Sequence, residues 1–182
     1  ARQISFHLGA LGHKVKVLTT DIHLNQSENK SLLDLDLIAL PCLNKRFYIP
    51  WPYLRKINKA VKESEIIQLF SHWTVLNAIV YVLIRLNNKP YVVTPLGALP
   101  IFGRSNFFKR IYNRTFGKKI IRNAQRNILA TLGELPALKT YGVDESKVAH
   151  LPNGINEEEY SAETDDSFKT RLGIGHTPYI LF

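Results

Sequence analysis

The side chains best suited to chemistry in this 182-residue chain fall in a few short segments. His72-Trp73 sets an imidazole beside an indole. A polar tip next to a flat aromatic surface suits a carbohydrate, whose apolar face stacks while its hydroxyls take hydrogen bonds; such a pair also occurs in plain packing. Thr131 and Glu134 have the spacing of a capping box, in which the threonine oxygen accepts from an amide three residues on and the glutamate reaches back. A catalytic carboxylate is the alternative reading of Glu134. Pro152-Asn153-Gly154 carries an Asn-Gly pair, which adopts positive φ cheaply and makes a tight turn. That turn could equally line a cleft. No residue is assigned a catalytic role. The single cysteine, Cys42, has no partner for an internal disulfide, and no Cys/His spacing matches a zinc site. His7, His13, His23, His150 and His176 show no ligand spacing and read as surface or structural groups. No metal or other cofactor is expected.

The elements that must position these groups are legible from period and punctuation. Strands are expected at His13–Thr19, Leu35–Leu40, Glu65–Phe70, Pro90–Thr94, Arg126–Thr131, Lys147–Leu151 and Pro178–Phe182. Helices are expected up to Gly12, near Tyr53–Glu63, and over Thr74–Leu86, Ser105–Asn123 and Leu135–Tyr141. Strands alternating with helices over short connections predict an α/β fold: a doubly wound, Rossmann-like parallel sheet with helices on both faces. Ligands of such sheets sit at the C-terminal ends of the strands. The segments after three strands, Ser71-His72-Trp73, Pro95–Gly103 and Pro152-Asn153-Gly154, are therefore expected along one rim.

Charge narrows the partners. The formal net charge is +9, and no acidic residue stands between Glu65 and Glu134. Lys109, Arg110, Arg114, Lys118, Lys119 and Arg122 cluster there on the expected long helix, which also carries Phe108, Tyr112, Phe116 and Ile120 at four-residue steps. One reading packs the apolar row on the sheet and leaves a solvated basic face. The other holds those cations against an anionic membrane. Nucleic acid is not expected, since no zinc-finger or RNP motif is present. The longest apolar run, Thr74–Leu86, is too short to span a bilayer, for which about 20 residues are needed. With one cysteine and no signal peptide, a cytoplasmic setting is expected, with peripheral attachment at the inner face of the plasma membrane as its extension.

Three stretches, in order, resemble the N-terminal half of glycosyltransferase family 4, whose fold is called GT-B. Leu8-Gly9-Ala10-Leu11-Gly12-His13-Lys14-Val15-Lys16-Val17-Leu18-Thr19 is similar to the family's first helix running into a strand. Lys89-Pro90-Tyr91-Val92-Val93-Thr94-Pro95-Leu96-Gly97-Ala98-Leu99 is similar to its central strand and following loop. Thr131-Leu132-Gly133-Glu134, Gly142-Val143, Lys147-Val148 and Leu151-Pro152-Asn153-Gly154-Ile155-Asn156 follow its third pattern. Two positions depart from it. Leu96 stands where the family often has a histidine approaching the donor sugar, and Asn156 where it has an aspartate.

The resemblance implies a retaining, metal-independent transfer from a nucleotide sugar to a glycan or lipid-linked acceptor. His72, Trp73, Thr94, Leu96, Gly97, Ala98, Glu134, Asn153 and Gly154 would line the acceptor side of the cleft. A second domain would hold the nucleotide. The chain opens within a helix and closes on a strand-like segment, so residues 1–160 are expected to be a GT-B domain lacking its first strand. Residues 161–182 would then be the linker and first strand of the nucleotide-binding domain, and the piece alone would be inactive. The competing class is a non-catalytic α/β module docking on anionic membrane or nucleic acid through its basic helix.

Overall fold

The computed structural model describes residues 2–22, 36–45, 48–101, 105–154 and 167–174. The strand expected at Pro178–Phe182 and the variant position Asn156 lie outside them. The chain divides into two compact units, Ala1–Pro152 and Asn153–Phe182. In the second, the described helix is α7 (Ser167–Leu172), closed by Gly173 at φ 63°.

The first unit runs α1 (Arg2–Ala10), β1 (Lys16–Thr20), β2 (Asp36–Leu40), β3 (Cys42–Asn44), β4 (Ile49–Pro50), α2 (Leu54–Glu63), β5 (Ile67–Phe70), α3 (Val75–Leu86) and β6 (Tyr91–Thr94). It continues through α4 (Asn106–Tyr112), a π-helical turn (Asn113–Gly117), α5 (Lys118–Arg122), β7 (Arg126–Leu129), α6 (Leu135–Thr140) and β8 (Val148–His150). As the alternation predicts, β1 pairs with β2 in parallel, and β5, β6, β7 and β8 form a parallel sheet in that order. The parallel strands fall into a two-stranded and a four-stranded sheet. A groove of about 1580 Å³ is lined by β1 of the first, β5 of the second, and parts of α1 and α3.

Helices α2, α3 and α5 each bury one stripe. Ile57, Ala60 and Val61 of α2, Val80, Tyr81 and Ile84 of α3, and Ile120 and Ile121 of α5 join Leu40, Leu69, Val93 and Leu129 from the strands in one core. Fully burying a Leu or Ile side chain stabilises by about 1.5–3 kcal/mol, so this periodic pattern is what commits the helices to the sheet. Thr74 caps α3, its side chain accepting from the Asn77 amide at 3.2 Å. The β-branched Val17, Thr19 and Thr20 favour the extended β1, and Lys16 at its start reaches Glu63 at 2.7 Å and Asp36 at 3.3 Å.

Two features depart from the sequence pattern. The β3–β4 hairpin is antiparallel, and its strands have three and two residues, too few to show a period. The expected single helix over Ser105–Asn123 is interrupted by the π turn. A π turn admits an extra residue and shifts the face that meets the core. Consequently the row Phe108, Tyr112, Phe116, Ile120 does not pack as one. Ile120 is buried, whereas Phe108 is 60% and Phe116 37% exposed.

Candidate active-site rim

Because β5, β6 and β7 are neighbours running the same way, the segments that leave them are gathered at one end of the sheet. The pairing of Phe70 with Thr94 fixes the first two, and the Ser71 amide donates to the Thr94 carbonyl at 2.9 Å. Thr94 itself is buried, its hydroxyl accepting from Gln68 Nε2 at 2.8 Å.

After Thr94 the chain turns sharply. The Ala98 amide donates to the Pro95 carbonyl at 3.1 Å, and Leu96 and Gly97 both have positive φ, 54° and 70°, the signature of a type I′ turn. Gly97 accepts this geometry freely, but a leucine held there costs on the order of 1 kcal/mol. Glu134 is the counterweight. Its Oε2 accepts from the Gly97 amide at 2.6 Å, while Oε1 accepts from the Ala130 and Thr131 amides, each at 3.2 Å. Thr131 and Glu134 form the capping box that their spacing predicts. The carboxylate also clasps a second loop, 37 residues away in sequence. Leu96 is displayed outward beside it, 46% exposed.

Behind the rim lies a buried polar chain. His72 is only 1% exposed. Its Nε2 is 2.9 Å from Asn113 Oδ1, Asn113 Nδ2 donates to the Tyr141 hydroxyl at 2.8 Å, and that hydroxyl donates to the Leu99 carbonyl at 2.9 Å. The direction of each bond follows from what the groups can do. The amide nitrogen only donates, so the amide oxygen is left to accept, and Nε2 must carry the proton. His72 is therefore a neutral Nε2–H tautomer. Burial drives its pKa down from 6.5 to about 4, against the opposing hydrogen bond to Asn113. Nδ1, the acceptor nitrogen, is buried with no hydrogen-bond partner among the described residues. Trp73, Tyr112 and Tyr141 surround the imidazole edge-on, with centroids at 4.4, 5.6 and 5.4 Å. Burial likewise raises the Tyr112 and Tyr141 hydroxyl pKa values.

Gly117 lets this chain close. A Cβ there would stand 2.9 Å from His72 Nε2 and nearer still to Asn113 Oδ1. The π turn carries Asn113 and Gly117 inward together, both buried.

The rim thus brings together Trp73, Leu96, Gly97, Ala98 and Glu134 as partly or fully exposed groups, with Thr94 beneath them. His72 is not on that surface. The imidazole expected to face an acceptor is enclosed by aromatic rings, and it braces the rim from within. Asn153 and Gly154 are exposed and belong to the second compact unit. Of the cationic set, Arg110, Arg114, Lys118, Lys119 and Arg122 are exposed, and Lys109 places its ammonium 5.5 Å from the Trp73 ring centroid. Asn113, Gly117, Tyr141 and Leu99 were not singled out by the sequence. The one available signal was Gly117 itself, a residue costing about 1 kcal/mol relative to alanine within a helix. Among the described residues no group of three or more His, Cys, Asp or Glu could hold a metal ion, and no helix is long and apolar enough to cross a membrane.

The sequence profile described as Glycosyltransferase Family 4 matches residues 1–159. The chain belongs to glycosyltransferase family 4. No curated protein matches it significantly. In this family-4 chain the rim is a scaffold of backbone turns held by one carboxylate in front and one buried amide–imidazole–phenol chain behind. The carboxylate accepts from three amides, and the imidazole is enclosed.

Proposed function

We propose that the protein is a retaining glycosyltransferase, moving a hexose from a nucleotide sugar to a glycan or lipid-linked acceptor, with this chain forming the acceptor wall. The reading is supported chiefly by membership of family 4, together with the convergence of the β6 and β7 loops on Glu134. In this account Trp73, Leu96 and the Gly97 turn face the acceptor. Asn153 and Gly154 are assigned to the acceptor side by the family resemblance alone, and a second domain holds the nucleotide diphosphate. Rate enhancement rests on placing the reactants and stabilising the departing diphosphate, which needs no resident metal. The cations of the α4–α5 helix, Lys109, Arg110, Arg114, Lys118, Lys119 and Arg122, hold the enzyme on the anionic inner face of the plasma membrane in a cell-envelope polysaccharide pathway.

The test is to offer the full-length protein a panel of labelled nucleotide sugars with a membrane lipid extract, with and without a chelator. Label should pass into product with the donor's anomeric configuration, chelator should not reduce it, and the 182-residue chain alone should be inactive. Vesicle binding with no transfer to any acceptor would instead indicate a docking module.

A further inference from the structure

The geometry points to an apolar wedge on α4 that enters the hydrocarbon boundary of an anionic bilayer, formed by Phe107, Phe108 and Ile111. It rests on the membrane reading above and goes beyond charge attraction. These three side chains are 70%, 60% and 46% exposed, and no residue of α4 is buried. At roughly 100° per residue, Ile111 lies about 40° and Phe108 about 100° to one side of Phe107, and Arg110 lies about 60° to the other. Arg114 follows on the next turn and is exposed. Phe107 and Phe108 stack edge-on with centroids 5.7 Å apart, so they present one block.

Exposed large apolar groups beside cations are what an interfacial helix displays, with the apolar part dipping beneath the head groups while the cations meet the phosphates. The charge selects the occupant. The segment between Glu65 and Glu134 has no carboxylate and ten cations, so an acidic bilayer surface is complementary to it across the whole helix. The π turn explains why the wedge is exposed. Downstream of it Ile120 and Ile121 are buried in the core, while upstream Tyr112 packs on His72 and Phe107, Phe108 and Ile111 are exposed.

The experiment uses phosphatidylcholine vesicles with and without phosphatidylglycerol, with sedimentation and fluorescence as readouts. Screening shortens from about 10 Å at 0.1 M salt to about 3 Å at 1 M, so salt separates the two contributions. Phe107→Ser with Ile111→Ser should weaken binding to the anionic vesicles by about tenfold and abolish what survives at high salt. Arg110→Glu with Arg114→Glu should weaken it by more than about tenfold at low salt only. In Phe107→Trp, the added emission should shift to the blue on anionic vesicles and be quenched by lipids brominated on the acyl chain. Sedimentation with anionic vesicles but no shift or quenching overturns the wedge and leaves the charge reading standing. No binding to either vesicle overturns both. Equal binding to neutral vesicles overturns the anionic choice. Circular dichroism identical to the parent establishes that each exposed-site variant is folded.

Discussion

Glu134 and His72 support the same rim by opposite means. Glu134 sits partly exposed and charged, and it gathers three amides with one carboxylate. His72 sits buried and uncharged, and it transmits its bond through Asn113 and Tyr141 to Leu99. The first joins segments that solvent can reach, so water can replace its bonds at modest cost. The second leaves an orphaned donor or acceptor in a dry site if any member is lost. In the proposed acceptor wall, the first is a clasp that can open and the second a brace that cannot.

The sharpest way to break this contrast is acid. Because the folded pKa of His72 is about 4 against 6.5 for the free side chain, the unfolded chain takes up the proton first as pH falls. Stability is fully present above about 6.5 and is lost between about 6.5 and 4, by about 3 kcal/mol. Chemical denaturation across that range should show the loss, and His72→Gln should remove this component of it. A parent whose pH dependence matches that of His72→Gln would place the imidazole in water.

Next in size is Gly117→Ala. The added methyl must displace His72 or Asn113, and overpacking of this kind costs about 1–3 kcal/mol. Thermal unfolding checks it; an unchanged midpoint would show that the π turn relaxes without strain. Smaller again is Glu134→Ala, expected to cost about 1 kcal/mol, the usual worth of a helix cap. Its signature is local, because amide hydrogen exchange at Gly97 should accelerate while that at Val93, in the strand beneath, stays slow. Equal acceleration at both would mean that the clasp and the core are one unit.

Much of the fold can be read from the chain because it depends on local pattern. The alternating Lys16–Thr20, the apolar Ile67–Phe70 and Tyr91–Thr94, and the amphipathic Leu54–Glu63 all became the elements their periods predict. The capping box of Thr131 and Glu134 was legible for the same reason, its partners being three residues apart. The rest depends on long-range meetings. His72 finds Asn113 41 residues on, and Tyr141 finds Leu99 42 residues back. No local signal encodes either meeting. The π turn misled the reading of the long helix, since one extra residue per turn is invisible in a four-residue spacing that continues unbroken from Phe108 to Ile120. His72 was picked out for its neighbour Trp73, and its burial followed from Tyr112 and Tyr141, which no sequence window around it contains.

The most direct test of the braced rim is the ring nitrogens of His72, observed by long-range proton–nitrogen correlation in labelled protein. The account predicts one protonated and one bare nitrogen, with the proton on Nε2, persisting unchanged from pH 7 to about 5. A proton on Nδ1, or an imidazolium appearing near pH 6.5, would contradict it.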